Sequence, residues 1–541
     1  MTTLIPHPVR LQTGDNGGFR LDDDSVRVTG VDDLRDLAEL FVEDLRHDTG
    51  IAIQAGPVAS GEAPTVHLEL VADEADLAGL PDTTGVSPSG GDPRAERYGL
   101  EISSTGARVW STHVEGIRNG LSTLRQLAAS TDGALPAVRI LDAPRFAWRG
   151  LTLDVGRTFL AVEEVERIVD MLALYKLNVL HLHLTEDAGW RVEVPSRPAL
   201  AEVGGAGALG DRPGGHYTTS DLSHLVAYAL RRGVTVVPEI DVPGHATAAL
   251  RAYPELTSTG EAPEAVVGAG IFASALHLDL PGTDRFLADV FADVVALTPG
   301  PFVHIGGDEA FGVSDEEFAP FIEHVVGLVR GLGKRIVGWQ EIARADIGPD
   351  EVVQYWFDRA DDFAAADLGS MPEGLQIPPE LAAVLVEKFA KAGQDVVRAA
   401  ERGAKVLMSP TKHTYLDVPY AEPSADPAQE ESRGRIGLSS YPGATVRDVL
   451  DWDPERLLAG LADGAVIAGV EAALWGETVA DAADAHFLLL PRLPGVAEKA
   501  WSPSDATAWD DYRDRLAAQG SIWQRRDWGY FRSSLVDWPE A

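Results

Sequence analysis

The chain has no cysteine and only four methionines among its 541 residues. The missing cysteine excludes disulfide bonds, thiolate metal sites and a thiol nucleophile. Basic residues are few beside acidic ones, 45 against 84, which gives a net charge of −39. Nucleic acids and anionic membranes are bound through basic patches, so neither is expected as a partner.

Long apolar runs are also missing. No stretch reaches membrane-spanning length, and the first residues, Met1 to Pro6, lack the basic and apolar regions of a secretory signal. We therefore expect a cytoplasmic protein, or a secreted one if a leader was removed. The hydrophobic fraction is an ordinary 45%, and the length exceeds that of a single hydrophobic core, so two or more domains are expected.

Residues 1–145 are predicted to form a small α/β domain. Residues 66–71 and 98–102 alternate like strands, and 117–129 have helical spacing. Residues 81–93 are rich in Gly, Pro, Ser and Asp, which predicts a loop.

Residues 146–541 are predicted to form a (β/α)8 barrel of the TIM type with a C-terminal helical extension, because short apolar strands alternate with amphipathic helices. The eight strand candidates are 150–155, 177–184, 234–240, 302–305, 335–339, 352–356, 405–408 and 466–475. Helical spacing lies between them at 162–175, 220–232, 285–297, 315–332 and 395–402.

The fourth strand candidate runs into His304-Ile305-Gly306-Gly307-Asp308-Glu309-Ala310. The two glycines release the chain from strand geometry, so the adjacent carboxylates of Asp308 and Glu309 are able to converge on one pocket. Repulsion and desolvation would then raise one pKa and leave a general acid. The alternative is a solvated acidic turn.

Polar and aromatic residues follow the other strand candidates as well, at the end where such barrels carry their sites. A Pro-Gly turn after the third strand aims His245 at the barrel mouth, where it can pair with a carboxylate. Trp339, Trp356 and Trp475 end the fifth, sixth and eighth strands and predict an aromatic box for a sugar face or an acetamido methyl group.

For two further motifs, a structural explanation is preferred to a functional one. His181-Leu182-His183 is similar to paired metal ligands, with His245 and Asp308 as further candidates, but two interior histidines satisfied by hydrogen bonds are preferred and no metal is expected. Residues 205–210 fit the G-x-G-x-x-G pattern, but neither a strand before them nor a helix after them is predicted, so they are expected to be a flexible loop.

Taken together, the barrel segments resemble glycoside hydrolase family 20, the β-N-acetylhexosaminidases. The matching stretches are RGLTLDVGR at 149–157, KLNVLHLHLTEDAGW at 176–190, PEIDVPGH at 238–245, HIGGDEA at 304–310, VGWQE at 337–341, YLD at 415–417 and LWGE at 474–477. The region before 145 is similar to the small α/β domain that precedes the barrel in this family.

The resemblance implies catalytic roles. Glu309 would be the general acid/base that protonates the glycosidic oxygen. Asp308 would hold the acetamido N–H and stabilise a positive oxazolinium, and Tyr415 would bind the acetamido oxygen. His245 would belong to a relay behind Glu309, which Glu186 is expected to reach.

It also implies binding roles. Arg157 would clamp the O3 and O4 hydroxyls, and Asp417 and Glu477 would bind O4 and O6. Trp339, Trp356 and Trp475 would enclose the acetamido methyl and the sugar face. The substrate would be a small molecule or oligosaccharide with a terminal N-acetylhexosamine, and neither metal nor organic cofactor is implied.

The residues favour the same chemistry independently. An ordinary retaining glycosidase needs two carboxylates on opposite sides of the anomeric carbon, about 5 Å apart. Two sequence-adjacent carboxylates suit instead a mechanism whose nucleophile is the substrate's own amide. The expected function is therefore exo-acting removal of β-linked N-acetylhexosamine. A catalytically silent sugar-binding barrel and a metal-dependent amidohydrolase are the alternatives.

Three features depart from the family pattern. Glu186-Asp187 stands where two aspartates are usual, and Ser440-Tyr441 stands where a tryptophan is expected. Residues 359–392 form an extra stretch after the sixth strand, and 381–391 have the spacing of a short helix. The stretch is predicted to shape the leaving-group side of the site, and a surface excursion without function is the alternative.

Overall fold

The structure is a computed structural model. It describes residues 3–539 apart from 15–16, 22–26, 31, 57–64, 267, 269–272, 358–387, 389 and 505–507. Most of the extra stretch at 359–392, including most of the short helix predicted at 381–391, lies outside the described residues, and only residues 388 and 390–392 of it are described.

The first part of the chain forms a mixed sheet covered by two helices. Its strands are β1 (Arg10–Thr13), β2 (Phe19–Arg20), β3 (Arg27–Thr29), β4 (Gln54–Ala55), β5 (Thr65–Leu70), β6 (Tyr98–Ser103), β7 (Gly106–Ser111), β8 (Ala134–Leu135) and β9 (Val138–Asp142), with helices α1 (Arg35–Thr49) and α2 (Val114–Ser130). The main sheet has the order β1-β9-β6-β7-β5-β3-β4, and β2 pairs separately with β8. Helix α2 buries Ile117, Leu121 and Leu124 against it, as its helical spacing predicts.

The second part is a closed barrel of eight parallel strands, which confirms the predicted fold class. The strands are β10 (Trp148–Asp154), β11 (Val179–His183), β12 (Thr235–Glu239), β13 (Phe302–His304), β14 (Arg335–Trp339), β15 (Val352–Tyr355), β16 (Lys405–Met408) and β17 (Val466–Leu474). Each pairs in parallel with its neighbour, and β17 closes the barrel on β10. The first strand begins two residues before its predicted start, because Trp148 and Arg149 are buried like the rest of it.

Helices surround and extend the barrel. They are α3 (Val162–Leu174), α4 (Thr219–Arg231), α5 (Thr247–Ala252), α6 (Thr283–Leu297), α7 (Asp315–Gly331), α8 (Asp395–Glu401), α9 (Thr411–Thr414), α10 (Glu430–Arg435), α11 (Pro454–Leu461), α12 (Ala482–Leu489), α13 (Leu493–Trp501) and α14 (Trp509–Arg525). The five helices predicted in the barrel are all present, with ends shifted by at most two residues. No helix in the described part of the chain is long and apolar enough to cross a membrane.

The two parts share a tight junction. The predicted loop at 81–93 lies under the barrel, where Val86 joins the apolar plug at the amino ends of the strands and its N–H donates to the carbonyl of Ala468. Gly85 is required there, because a Cβ would lie 2.2 Å from the carbonyl oxygen of Ala468 and φ is +103°.

A buried ionic cluster fastens the C-terminal helix to both parts. Asp48 of α1 is fully buried and accepts hydrogen bonds from Arg125 Nε at 2.6 Å and Arg526 Nε at 2.7 Å. Asp44 contacts the same two arginines, and Arg526 also reaches Asp170 of α3 at 3.3 Å. One arginine beyond the end of α14 therefore connects the first domain to the barrel.

Asp48→Asn should lower the free energy of unfolding by about 3 kcal/mol, because it removes one partner from a buried ion-pair cluster. Asp44 still contacts both arginines, so the loss should fall at the low end of the usual range. Urea unfolding followed by tryptophan fluorescence measures it. The matched control is Asp32→Asn, whose side chain is 93% exposed beside Arg35 and should cost less than about 1 kcal/mol. Equal losses would contradict the assignment.

Candidate active site

The turn after β13 carries the two adjacent carboxylates. Gly306 and Gly307 have φ of +66° and +104°, and Glu309 itself has φ of +42°. A Cβ on Gly306 would lie 1.7 Å from Oδ1 of Asp241, which instead accepts the N–H of Gly307 at 3.0 Å. The glycines therefore allow the carboxylate of Asp241 to hold the turn that presents Asp308 and Glu309 at the barrel mouth.

His245 lies between two groups of carboxylates. Its Nδ1 is 3.1 Å from Oε1 of Glu186 and 3.6 Å from Oδ2 of Asp187. Its Nε2 is 3.8 Å from Oε2 of Glu309 and 4.0 Å from Oδ2 of Asp308. Burial alone would lower the pKa of His245, but these carboxylates, Glu186 foremost, raise it well above its usual value. The neighbouring carboxylates therefore favour the protonated form of the histidine that faces the turn.

Burial also governs the two carboxyl groups of the turn. It raises the pKa of Asp308 well above the usual range, with Asp241 and Glu309 adding to the effect. It raises the pKa of Glu309 as well, although the positive charge of His245 offsets part of that rise. The sequence predicted a raised pKa for one carboxyl group of this turn, and in the structure the pKa of both Asp308 and Glu309 is raised.

Arg157 is held after β10 by three carboxylates. Its guanidinium contacts Oδ2 of Asp154 at 2.9 Å and Oε1 of Glu477 at 3.4 Å, and it pairs with Glu186 on the third side. Gly476 donates its N–H to the same Asp154 oxygen at 2.9 Å. The end of β17 is thereby fixed beside the end of β10, with the guanidinium between them.

Two carboxyl groups near Arg157 have unused hydrogen-bonding capacity. Asp417 is 1% exposed, and neither of its carboxylate oxygens has a hydrogen-bond partner within the described residues. Oε2 of Glu477 is likewise unpartnered there. Burial raises the pKa of Asp417 well above its usual range, with Glu477 adding to it. Buried acceptors without partners are rare, and they fit a site that binds hydroxyl groups.

An aromatic wall lines the same mouth. Trp339 and Trp475 lie with ring centroids 5.6 Å apart, and Tyr415 lies 6.0 Å from Trp475. Trp356 belongs to the same buried cluster, and Tyr441 packs on it with its ring perpendicular to that of Tyr415. The tyrosine at 441 thus occupies an aromatic position at the rim, although the sequence departs from the expected tryptophan.

The structure brings the predicted site residues to one end of the barrel. Glu186 takes the place of the usual aspartate and reaches His245 at 3.1 Å. Residues 205–210 form a loop as expected, but the guanidinium of Arg191 holds it through the carbonyls of Gly205 and Gly207. Leu209 of this loop donates its N–H to the carbonyl of Arg157, so the loop borders the site.

Sequence reasoning missed three residues that support the site. Asp241 holds the glycine turn, and burial raises its pKa to about 7. Glu341 accepts the indole N–H of Trp356 at 3.2 Å, and burial raises its pKa to about 8. Arg212 donates to the carbonyls of Gly476 and Glu477. Asp241 and Glu341 stand inside quoted motifs, so their place at strand ends was the available signal.

The paired histidines of β11 lie inside the barrel. Ligand atoms of His181, Glu239 and His304 come within 4.8 Å of one another, as do those of His183, Glu239 and Asp241. The imidazole nitrogens of His181 and His183 face carboxylates, Glu239 between them. Nδ1 of His181 is hydrogen-bonded to Glu471 and Nδ1 of His183 to Glu239, whereas Nε2 of each ring has no hydrogen-bond partner within the described residues.

Fold and site together define a class. A closed (β/α)8 barrel that carries paired carboxyl groups, a partly buried arginine and an aromatic wall at the carboxyl ends of its strands fits an enzyme that acts on a carbohydrate. Residues 146–317 and 311–504 match the family model described as glycosyl hydrolase family 20, catalytic domain, and residues 1–143 match the model of domain 2 of that family. The chain belongs to glycoside hydrolase family 20, which confirms the resemblance.

Relatives agree over the whole length. A β-N-acetylhexosaminidase of Cellulomonas fimi is 37% identical over 540 residues, covering 99% of this chain and 97% of that protein. The solved family 20 β-N-acetylhexosaminidase of Streptomyces coelicolor A3(2) is 34% identical, with a TM-score of 0.81 and 99% of both chains covered. A mutant β-hexosaminidase of Streptomyces plicatus in complex with its product GlcNAc is equally similar, with 34% identity and a TM-score of 0.81 over 99% and 98% of the two chains.

Gly306→Ala should reduce kcat/KM by about 100-fold, because the new Cβ collides with Asp241 at a positive φ and displaces the acidic turn, and a shift of about 1 Å has effects of that size. Hydrolysis of an aryl N-acetyl-β-glucosaminide measures it. Gly327→Ala in α7 is the control, since its Cβ meets nothing within 4 Å. A control as impaired as Gly306→Ala would contradict the argument.

Proposed function

We propose that Asp308 and Glu309 divide the catalytic work of an exo-acting β-N-acetylhexosaminidase. The protein removes terminal, non-reducing N-acetylhexosamine with retention of configuration, and the nucleophile is the substrate's own acetamido oxygen. The observation that carries this proposal is the adjacency of two partly buried carboxyl groups on one turn. It supplies an acid and a stabilising carboxylate on the same side, and no second carboxylate is required as a nucleophile.

In the first step Glu309 gives its proton to the glycosidic oxygen as the bond from that oxygen to the anomeric carbon breaks. The acetamido oxygen bonds to the same carbon and forms an oxazolinium ion. The raised pKa of Glu309 keeps a proton available for this step. In the second step the Glu309 carboxylate takes a proton from water, which attacks the anomeric carbon and opens the ring.

Asp308 is proposed to act on the acetamido group. Burial favours its neutral form and raises its pKa. A substrate N–H and the positive oxazolinium would favour the carboxylate, because hydrogen bonds and opposite charge lower a carboxyl pKa. Tyr415, whose ring contacts Trp475, would hold the acetamido oxygen toward the anomeric carbon. Binding of the correct sugar would thus switch Asp308 to its charged form.

The remaining residues are proposed to bind the sugar ring. Arg157, Asp417 and Glu477 form a polar side with unpartnered acceptors, which suits hydroxyl groups at C3, C4 and C6. Trp339, Trp356 and Trp475 form the apolar side with Trp475 beside the guanidinium of Arg157. This division into polar and apolar sides fits a hexose, whose hydroxyls project around the rim and whose faces carry C–H groups.

Glu309→Gln should lower kcat by roughly 10²–10⁴-fold on an N-acetylhexosaminide with a poor leaving group, because it removes the proton donor. Activated aryl glycosides, whose leaving groups depart without protonation, should lose less. Steady-state kinetics on chitobiose and on a nitrophenyl glycoside compare the two. Glu316→Gln, an exposed carboxylate of α7, is the control. Unchanged hydrolysis of the disaccharide by Glu309→Gln would exclude the acid role.

Asp308→Asn and Tyr415→Phe should each slow the first step by about 10²-fold or more, because both groups orient or stabilise the internal nucleophile. Single-turnover kinetics with an aryl N-acetylglucosaminide measures the step. A thiazoline mimic of the oxazoline should inhibit strongly, and a 2-fluoro sugar should leave no label. A sugar–protein adduct detected by mass spectrometry would refute the internal nucleophile.

A further inference from the structure

A column of titratable side chains runs through the barrel interior to Glu309. The mechanism uses only its outer end, and the inner members are buried among the strands. From the core outward the column consists of Glu471, His181, Glu239, His183, Glu186, His245 and Glu309. Carboxyl and imidazole groups alternate along its whole length.

The inner half is closely spaced. Nδ1 of His181 lies 2.9 Å from Oε1 of Glu471, and its Nε2 lies 3.0 Å from Oε2 of Glu239. Glu471 also accepts hydrogen bonds from the indole of Trp148 at 2.6 Å and the hydroxyl of Thr152 at 2.8 Å. The inner end of the column is therefore anchored to the first barrel strand.

The outer half continues the alternation. Nδ1 of His183 is hydrogen-bonded to the Glu239 oxygen that faces His181, and its Nε2 lies 3.7 Å from Oε1 of Glu186. The same Glu186 oxygen lies 3.1 Å from Nδ1 of His245, whose Nε2 is 3.8 Å from Glu309. His183 thus connects the buried core to Glu186 and His245, which lie behind Glu309.

The geometry indicates that three of these imidazoles are charged. Both ring nitrogens of His181, His183 and His245 lie within 4.0 Å of carboxylate oxygens, and the hydrogen bonds among these contacts are at Nδ1 of His181 and Nδ1 of His183. A neutral imidazole has only one N–H and would turn a lone pair toward one of its two carboxylates. Burial alone would lower the pKa of His181, but Glu239 and Glu471 raise it to about 9. The pKa of His183 is likewise raised well above its usual value against the effect of burial, with Glu239 the main cause.

His304 shows the contrast within the same core. Its ring packs on His181 with centroids 4.3 Å apart, and its Nδ1 lies 2.9 Å from Oε1 of Glu239. The N–H of Gly306 lies 3.0 Å from the same nitrogen, and Glu239 is the only carboxylate within 4.0 Å of the His304 ring among the described residues, whereas His181 and His183 each have two. Burial lowers the pKa of His304. It is a neutral histidine beside the column and is not a member of it.

We propose that His183 is a positioning residue for the reaction: through Glu186 and His245, its positive charge sets how tightly Glu309 holds its proton. The inference rests on the proposed role of Glu309 as the acid. Glu186 faces His183 on one side and His245 on the other, with Arg157 as its third cationic partner. The column transmits charge to the reacting proton without touching substrate.

The surroundings contain many negative and few positive groups. The charged groups around His183 are Asp154, Glu186, Glu239 and Asp241. Those around Glu186 are Arg157, His183 and His245, and those around His245 are Asp187, Asp241, Asp308, Glu186 and Glu309. Those around Glu309 are His245, Arg157, Glu186, Glu477 and Asp308. Among these groups only Arg157 and the two histidines are cationic. Removing one cation therefore leaves an excess of negative charge near Glu309.

The test is the pH profile of kcat/KM for His183→Gln, which keeps polarity and loses the charge. Since Glu309 must be protonated to donate, its pKa forms the alkaline limb of the profile. Loss of a nearby positive charge favours the neutral acid, so this limb should move to higher pH by about one unit. His181→Gln, one step further along the column, should move the limb in the same direction by about half as much.

The matched control is His304→Gln, a histidine of the same core whose neutral state means that no charge is lost. Its alkaline limb should stay in place even if kcat falls through its contact with Gly306. An unmoved limb in His183→Gln, or an equal displacement in His304→Gln, would overturn the proposal. A purely structural role for His183 would lower kcat without this ordered displacement.

A second measurement uses the wild-type protein and so tests the proposal even where a variant fails to fold. In the wild-type protein, ¹⁵N chemical shifts of the imidazoles should show His181 and His183 protonated at both nitrogens at pH 7 and His304 neutral. Neutral rings at 181 and 183 would overturn the proposal. Failure of the proposal about His183 can be distinguished from failure of the proposed function, because the loss of kcat expected in Glu309→Gln does not depend on the column.

Discussion

The site depends on placing two carboxyl groups, adjacent in sequence, inside a desolvated pocket. Burial of this kind opposes ionisation, and each neighbouring charge raises the energy further. Asp308 and Glu309 are held there because the glycine turn lets Asp241 bind the backbone directly beneath them. The positive His245 then offsets part of the unfavourable charge. Burial at the turn and the charge of the histidine therefore act on the pKa of Glu309 in opposite directions, and the rise from burial is the larger effect.

The barrel interior extends this compensation. Most TIM barrels fill their centre with apolar layers, and here the apolar layer lies at the closed end, around Trp148 and Val86. Above it come buried histidines and glutamates in alternation. Replacing one member of a buried ionic set is far more costly than replacing the whole set with apolar groups. The members of the column therefore have to be kept or replaced together. The column also links the charges of the core to Glu309.

Much of this arrangement was predictable from the sequence. The eight strands and five barrel helices follow from strong hydrophobic periodicity, and the acidic turn follows from two glycines beside two carboxylates. What local patterns could not reveal is long-range pairing. Strand β1 is an exposed edge whose place depends on β9, more than a hundred residues away. The hydrogen-bond partners of His181 and His183 come from β10, β12 and β17, so the charges of these histidines could not be assigned from local sequence.

The first barrel strand connects the first domain to the active site. Arg149 at the start of β10 pairs with Glu96 of the first domain, and neighbouring Trp148 donates its indole N–H to Glu471 at the inner end of the column. The other end of β10 leads to Asp154, which fixes Arg157 at the mouth. Because a strand within a closed barrel is stiff, the junction and the mouth cannot shift independently. The small domain therefore supports the strand that leads to Arg157, the arginine proposed to bind the sugar hydroxyls.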